Sequence, residues 1–205
     1  VREKYRVDLC LANVENAAGM FGVTRKVKNE ISRAGVDIMT SGNHIWDNSQ
    51  GVELLETDTD ILRPANYPDD VPGRGFLIME YNNVQVAVIN LQGRIFMPAT
   101  DCPFRKADEI LEVLDDSIKI VLVDFHAEAT SEKLAMGFYL DGRVSGVAGT
   151  HTHVPTADER ILEKGTAYQT DIGMVGPFDS VIGMKKKSVI KRFITGTKHR
   201  FSPGG

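Results

Sequence analysis

The chain has 205 residues, of which 42% are hydrophobic and 25% are charged, a composition that is typical of one globular domain and excludes disordered and coiled-coil proteins. Its 24 basic and 28 acidic residues are spread along the sequence and give a net charge of −4, so no stable nucleic acid complex is expected. No apolar run reaches the ~18 residues that cross a bilayer, and no signal segment is recognisable, so we expect a cytoplasmic protein without membrane contact.

The first part of the chain alternates apolar runs with helical patterns. Residues 7–12 form an apolar run of strand length, and Thr24 then begins a helical pattern that Gly35 ends. Residues 36–40 are predicted as the next strand, and Asp47 as the cap of a short helix. This alternation is typical of an α/β fold.

The second part of the chain contains a hairpin signal. Residues 76–80 and 84–91 flank Asn82 and Asn83, a pair that favours a tight turn between antiparallel strands. Mixed sheets are therefore expected. No repeat or linker interrupts the sequence, so residues 1–205 are predicted to form a single domain. The remaining predicted elements are, in chain order, a helix at 104–114, a strand at 118–125, a helix at 132–140, a strand at 144–149, short strands near Ile161 and Ala167, and a helix at 188–193.

Immediately after four of the predicted strands come side chains that can bind metal. Because the carboxyl ends of strands in an open α/β sheet meet at one edge, these side chains can come together although they are far apart in sequence. Four of the five histidines of the chain lie in these clusters. A single such histidine more often bonds nearby backbone, but the repeated pattern favours a metal site. The clusters are Glu15 with Asn16, Asn43 with His44, Asp124 with His126, and His151 with His153.

The ligand types predict a centre with two metal ions. His151 and His153 are two residues apart, so an extended backbone points both imidazoles to the same side. With Glu15, Asn43 and His126 they make more ligands than one tetrahedral zinc ion needs. A two-metal site can activate water against a phosphoryl group. The two cysteines lie outside any C-x-x-C pair, which argues against a thiolate site.

Hydrolysis at such a site needs a proton donor for the leaving oxygen. His44 is the candidate, because it is next to the predicted ligand Asn43 and imidazole titrates near neutral pH. A third metal ligand or a hydrogen bond that orders the loop is the alternative role for this side chain.

The predicted ligands lie inside longer sequence blocks, which are ENAAG at 15–19, GNHIWD at 42–47, RPAN at 63–66, NLQGR at 90–94, DCPFRKAD at 101–108, DFHAEATSEK at 124–133 and GTHTH at 149–153. These blocks resemble the calcineurin-like metallophosphoesterases, and more narrowly their bacterial YmdB-like branch. The resemblance covers residues 1–201. It implies an α/β sandwich of two mixed β-sheets flanked by helices, and hydrolysis of 2′,3′-cyclic nucleotides or similar phosphodiesters.

The resemblance also implies roles for the site residues. Glu15 would bridge two divalent or trivalent metal ions, expected to be iron or manganese, although zinc also accepts such ligands. A hydroxide between the ions would attack phosphorus in line. His44 would protonate the leaving ribose oxygen as general acid, or stabilise the transition state. The other metal ligands would be Asn43, His126 and His151 for one ion, and His153 and Asn16 for the second.

One part of the family pattern is not found in this sequence. The family begins with a strand ending in a Gly-Asp pair whose aspartate binds the first metal, whereas this chain contains no Gly-Asp dipeptide. Its opening at Val1, without methionine, resembles the end of the helix that follows that strand. We therefore expect that the first strand is missing from this 205-residue sequence and present in the full protein.

Five further charged residues in these blocks are candidates for the site. Arg94, Arg105 and Lys133 could contact the phosphate or nucleotide, with solvated or salt-bridging charges as the alternative. Glu128 and Asp124 could orient a histidine ligand, with helix capping or an exposed strand-end acid as the alternative. The predicted partner is a small nucleotide phosphodiester, and a symmetric homo-oligomer is compatible with the sequence.

Two other functions stay open from the sequence. A noncatalytic or weakly catalytic module that binds a nucleotide or protein on the same fold also fits, because one expected ligand is absent. A metallo-β-lactamase-like hydrolase fits less well, because Val154 and Pro155 follow the histidine pair where that family continues with aspartate and histidine.

Overall fold

The computed structural model of the chain describes residues 2–19 and 21–205. Val1, with which the predicted opening segment begins, lies outside the described residues. Within these two ranges, no helix is both long and apolar enough to cross a membrane. The strands are β1 (Leu11–Asn13), β2 (Ile38–Thr40), β3 (Phe76–Tyr81), β4 (Val84–Gln92), β5 (Ile118–His126), β6 (Gly146–Thr150), β7 (Arg160–Ile161) and β8 (Ala167–Gln169). The helices are α1 (Arg2–Tyr5), α2 (Arg25–Arg33), α3 (Ser49–Thr57), α4 (Pro103–Val113), α5 (Thr130–Leu140) and α6 (Lys186–Thr195), with a 3₁₀ helix at Asn43–Asp47.

The larger sheet has six strands in the order β3–β4–β5–β6–β8–β7. Its four inner strands are parallel, whereas β3 pairs antiparallel with β4 and β7 pairs antiparallel with β8. The second sheet consists of β1 and β2, which pair in parallel. The predicted α/β class with a mixed sheet flanked by helices is therefore confirmed, and the smaller sheet is purely parallel among the described strands.

Three apolar clusters hold the layers together. The largest lies between the large sheet and helices α4 and α5, and contains the fully buried Phe125 and Met136. A second packs the small sheet against α2 and α3 around Ile45 and Leu54. The third, around Ile38, joins the small sheet to β4. Because both sheets contribute to this third cluster, the small sheet is held next to β3 and β4 of the large one.

The hairpin prediction is confirmed. Tyr81 pairs with Val84 at the closed end of the β3–β4 ladder, and Asn82 and Asn83 have φ angles of 49° and 62°. A two-residue turn of this kind requires positive φ at both positions, and asparagine tolerates that conformation better than most residues.

Two local predictions differ at the ends of elements. The strand expected at 7–12 is shorter and begins at Leu11, because the Cys10 N–H donates to the Asp37 carboxylate instead of a neighbouring strand, at 2.8 Å. Thr24 caps α2 as predicted. Asp47, however, does not cap α3, because Asn48 Oδ1 accepts the Gln50 N–H at 3.0 Å and takes that role.

Candidate metal centre

Four segments bring polar side chains to one edge of the two sheets. Glu15 lies two residues after β1, and the 3₁₀ helix Asn43–Asp47 begins three residues after β2. His126 is the last residue of β5, and His151 comes directly after β6. These are parallel strands, so their carboxyl ends point the same way and the sequence clusters meet as predicted.

Glu15, His126 and His151 form the centre of the site. Their ligand atoms lie within 4.8 Å of one another. His126 Nε2 is 2.5 Å from Glu15 Oε2, and His151 Nδ1 is 3.0 Å from His126 Nε2. The side chains of Glu15 and His126 are each only 2% exposed. We refer to these three residues as the Glu–His–His cluster.

Several buried oxygens around the cluster have no hydrogen-bond donor among the described residues. They are Glu15 Oε1, Glu15 Oε2, Asn16 Oδ1 and Asn43 Oδ1. A buried oxygen without a partner is unfavourable by about 1–3 kcal/mol, so four such atoms at one place indicate a ligand of positive charge. Carboxylate, amide and imidazole donors together suit manganese, iron or zinc. The residues present therefore fit the predicted metal.

Gly42 makes the close approach to this cluster feasible. A Cβ atom at this position would overlap with Glu15 Oε2 and His126 Nε2. Only glycine lets the chain pass there, which explains the glycine before Asn43 in physical terms.

The charge state of the cluster suits metal binding. Burial alone raises the pKa of Glu15, but the facing histidines, His126 first, lower it below its usual range. Burial and the neighbouring His126 lower the pKa of His151 to about 4. At neutral pH the carboxylate is therefore ionised and the His151 imidazole is neutral with a free lone pair, the forms that bind metal.

His126 is oriented by buried neighbours behind it. Its Nδ1–H donates to Thr150 Oγ1 at 2.9 Å, and the Thr150 hydroxyl donates to Asp124 Oδ1 at 2.7 Å. Asn13 Nδ2 and the Thr40 hydroxyl donate to the other Asp124 oxygen. This series of hydrogen bonds leaves His126 Nε2 pointing toward Glu15. Asp124 thus has the geometry of the predicted orienting residue, but it contacts His126 only through Thr150, a residue of the GTHTH block that is not among the predicted site residues.

His44 lies at the edge of the Glu–His–His cluster. Its Nδ1 is 2.6 Å from Asp47 Oδ2, and its Nε2 is 4.0 Å from Glu15 Oε1. The ring packs against Phe21 with 4.4 Å between ring centroids. The side chain is 30% exposed. Asp47, predicted as a helix cap, instead fixes the orientation of this imidazole.

Asn16 and His153 lie together beside the cluster. Asn16 Nδ2 is 3.2 Å from His153 Nε2, and His153 Nδ1–H donates to the Ile182 carbonyl oxygen at 3.1 Å. The carbonyl bond fixes the tautomer so that Nε2 carries the lone pair. These two residues are the ones predicted for a second metal ion.

The other four predicted residues fall into three groups. Glu128 Oε2 is 3.1 Å from His151 Nε2, so it has the geometry expected of an orienting carboxylate. Arg94 and Arg105 are exposed, and their contact with substrate stays a prediction. Lys133 does not fit the predicted phosphate contact: only 1% of its side chain is exposed, and its ammonium group is paired with Asp171.

Comparison with known proteins identifies the family. The family model for YmdB-like proteins matches residues 1–204. The chain is 48% identical over 202 residues to a 2′,3′-cyclic-nucleotide 2′-phosphodiesterase of Bacillus subtilis, covering 98% of this chain and 76% of the relative.

Two solved structures are also similar over nearly the whole chain. A hypothetical protein from Thermus thermophilus has a TM-score of 0.93 at 46% identity, covering 98% of this chain and 79% of that one. A phosphatase from Mycoplasma pneumoniae has a TM-score of 0.92 at 38% identity, covering 99% and 74%. Sequence blocks, fold and site geometry agree with the family match, and the chain belongs to the YmdB-like protein family.

Proposed function

We propose that the protein is a metal-dependent phosphodiesterase that hydrolyses 2′,3′-cyclic nucleotides or similar small phosphodiesters with two metal ions. The observation that carries this proposal is the convergence of the Glu–His–His cluster with unpaired buried oxygens. The 48% identity to a 2′,3′-cyclic-nucleotide 2′-phosphodiesterase supports the substrate class.

The two metal ions would share Glu15. Both of its carboxylate oxygens are buried and have no hydrogen-bond donor among the described residues, so each would have a lone pair free for a metal ion. Iron or manganese suits this donor set, and zinc also accepts it. One ion would be held by Asn43, His126 and His151, and the other by Asn16 and His153.

Metal ions bound there would polarise the phosphoryl group and activate the attacking water. His44 would then donate a proton to the ribose oxygen as its bond to phosphorus breaks, while Asp47 holds His44 Nδ1–H. Water adds a hydroxyl to phosphorus, and one bond of the cyclic diester is cut. The product would be a nucleoside monophosphate, with the phosphate still attached at the second ribose oxygen.

A direct test is hydrolysis by purified protein reconstituted with Mn²⁺. We expect conversion of 2′,3′-cyclic AMP to a monophosphate, and loss of that activity after chelation. His44→Ala should lower kcat by about 10²- to 10⁴-fold, the usual contribution of a general acid, while the metal content stays unchanged.

His199→Ala is the matched control, because His199 lies on the C-terminal tail and bonds only to nearby threonines in the described structure. Its activity should equal that of the wild type. A manganese-loaded wild-type protein that hydrolyses neither this substrate nor an aryl phosphodiester would refute the proposal. An unchanged rate for His44→Ala would refute the assignment of the acid.

A further inference from the structure

The turn that carries the histidine pair has an unfavourable backbone conformation. His151 has a φ of 100° and His153 a φ of 64°. Non-glycine residues are uncommon at positive φ, although asparagine, aspartate and histidine occur there more often than most, and such residues persist only where the surrounding structure holds them. Both residues are proposed metal ligands, so the contacts that maintain this backbone conformation also set the positions of the two imidazoles.

A buried ion pair holds the backbone on both sides of His151. Lys133 Nζ donates to the Thr150 carbonyl oxygen at 2.7 Å and to Asp171 Oδ2 at 2.5 Å. The same Asp171 oxygen accepts the Thr152 N–H at 3.1 Å. The side chains of Lys133 and Asp171 are each 1% exposed, so water does not compete for these bonds.

The aspartate of this pair is itself fixed by its neighbours. Asp171 Oδ1 accepts the Gly173 N–H at 2.8 Å, and the Asp171 N–H donates to Thr156 Oγ1 at 2.9 Å. On the strand side, a Cβ atom at Gly149 would overlap with the Thr170 carbonyl oxygen. The segment before Asp171 is therefore packed directly against the end of β6.

From these contacts we infer that the Lys133–Asp171 ion pair positions His151 and His153 for metal binding. The inference rests on the proposed metal centre and deepens it. Lys133 and Asp171 are positioning residues that touch neither metal nor substrate. Their ion pair maintains a turn which, without those bonds, would relax to negative φ and point the two imidazoles elsewhere.

The test compares Mn²⁺ affinity in two lysine variants by calorimetry on metal-free protein. Lys133→Met should weaken Mn²⁺ binding by about ten- to a hundredfold, the usual effect of losing a group that orients a metal ligand. Lys28→Met is the matched control. Lys28 is also a buried lysine, paired with Asp58 at 2.9 Å and Asp60 at 2.7 Å, but it lies on α2, so this variant should lose stability and keep its Mn²⁺ affinity.

Hydrogen exchange of residues 149–153 in the metal-free protein gives a second readout. In Lys133→Met, the backbone amide protons of these residues should exchange about tenfold faster than in Lys28→Met, when the two variants are compared at equal global stability. Asp171→Asn preserves the side-chain size and should act in the same direction, and it serves if Lys133→Met does not fold.

Mn²⁺ affinity within twofold of the wild type in the folded variants, or exchange no faster than in Lys28→Met, would overturn the inference. The affinity measurement does not depend on turnover. A wild-type protein that binds Mn²⁺ without hydrolysing phosphodiesters would therefore refute the proposed function alone.

Discussion

The orientation of the His44 imidazole is fixed by contacts with two side chains, those of Asp47 and Phe21. Asp47 accepts its Nδ1–H at 2.6 Å, and the ring of Phe21 packs against it. Both contacts fix where Nε2 points, and Nε2 is the atom that would donate the proton. The orientation of a proton donor matters as much as its chemistry, because proton transfer requires hydrogen-bond geometry.

Asp47→Asn should therefore lower kcat by roughly tenfold or more and leave the metal content unchanged. The amide still accepts a hydrogen bond but does not stabilise a protonated imidazole by charge. Steady-state kinetics with 2′,3′-cyclic AMP measures the change, and Asp70→Asn, at an exposed loop position, is the control. Equal kcat values for the two variants would show that Asp47 has no part in the reaction.

At the scale of single residues, the sequence predicts the metal-ligand candidates better than the residues that hold those ligands in position. Glu15, His126 and His151 were predicted because each follows a strand, and the structure brings them together. Lys133 is a candidate for substrate contact because it lies in the DFHAEATSEK block, but the structure shows the alternative role of a salt-bridging charge, since it is paired with Asp171, 38 positions away. No local pattern reveals such a pairing.

At the scale of elements, the junction of α2 with the end of α3 is held by charge. Lys28 of α2 lies 2.9 Å from Asp58 and 2.7 Å from Asp60. Burial alone raises the pKa of Asp58, but hydrogen bonds from Lys28, Thr57 and Arg25 lower it to about 2. Asp58 therefore adds stability that is fully present above its ordinary value of 3.8 and is lost as the pH falls toward 2.

Lys28→Met should lower the urea midpoint at pH 5, and the difference from the wild type should shrink between pH 4 and pH 2. The reason is that protonated Asp58 no longer gains from the lysine charge. Lys26→Met is the control, because Lys26 is 84% exposed and its pair with Glu30 spans 3.9 Å; such surface pairs contribute about 0–1 kcal/mol. A midpoint difference that stays constant with pH would contradict this account.

The elements themselves were largely predictable, because capping and periodicity are local. The position of Thr24 before a helical pattern predicts the cap of α2, and the residue types of Asn82 and Asn83 predict the turn. The sequence predicts the cap of α3 one residue too early, at Asp47, whereas the structure has Asn48 in that role. Aspartate and asparagine are almost equally good caps, so only the competing bond to His44 decides between them.

At the scale of the whole molecule, the site joins the two sheets. Glu15 follows the small sheet, whereas His126 and His151 come from the large one. An ion that binds all three residues connects both layers in the folded state only.

Strand alternation predicts the α/β class, but not the division into one sheet of six strands and one of two, because strand order depends on contacts between distant segments.

Addition of Mn²⁺ should therefore raise the unfolding temperature, with a stabilisation of about 2.7 kcal/mol when free metal is a hundred times its Kd. Chelation should reverse the shift, and His126→Ala should abolish it. Differential scanning calorimetry measures the effect, with His199→Ala as the control that keeps it. A shift of equal size in His126→Ala would place the stabilising ion elsewhere.

The distance along the chain between Asn16 and His153, which are in contact through their side chains, is 137 residues. Contacts between such distant positions form late, because closing a long loop precedes any gain from the contact. During synthesis, the half-site with Asn16 leaves the ribosome long before its partner exists. If Asn16 and His153 hold the proposed second ion, that ion would bind only after the histidine turn has been translated, and so would not guide the folding of the first half of the chain.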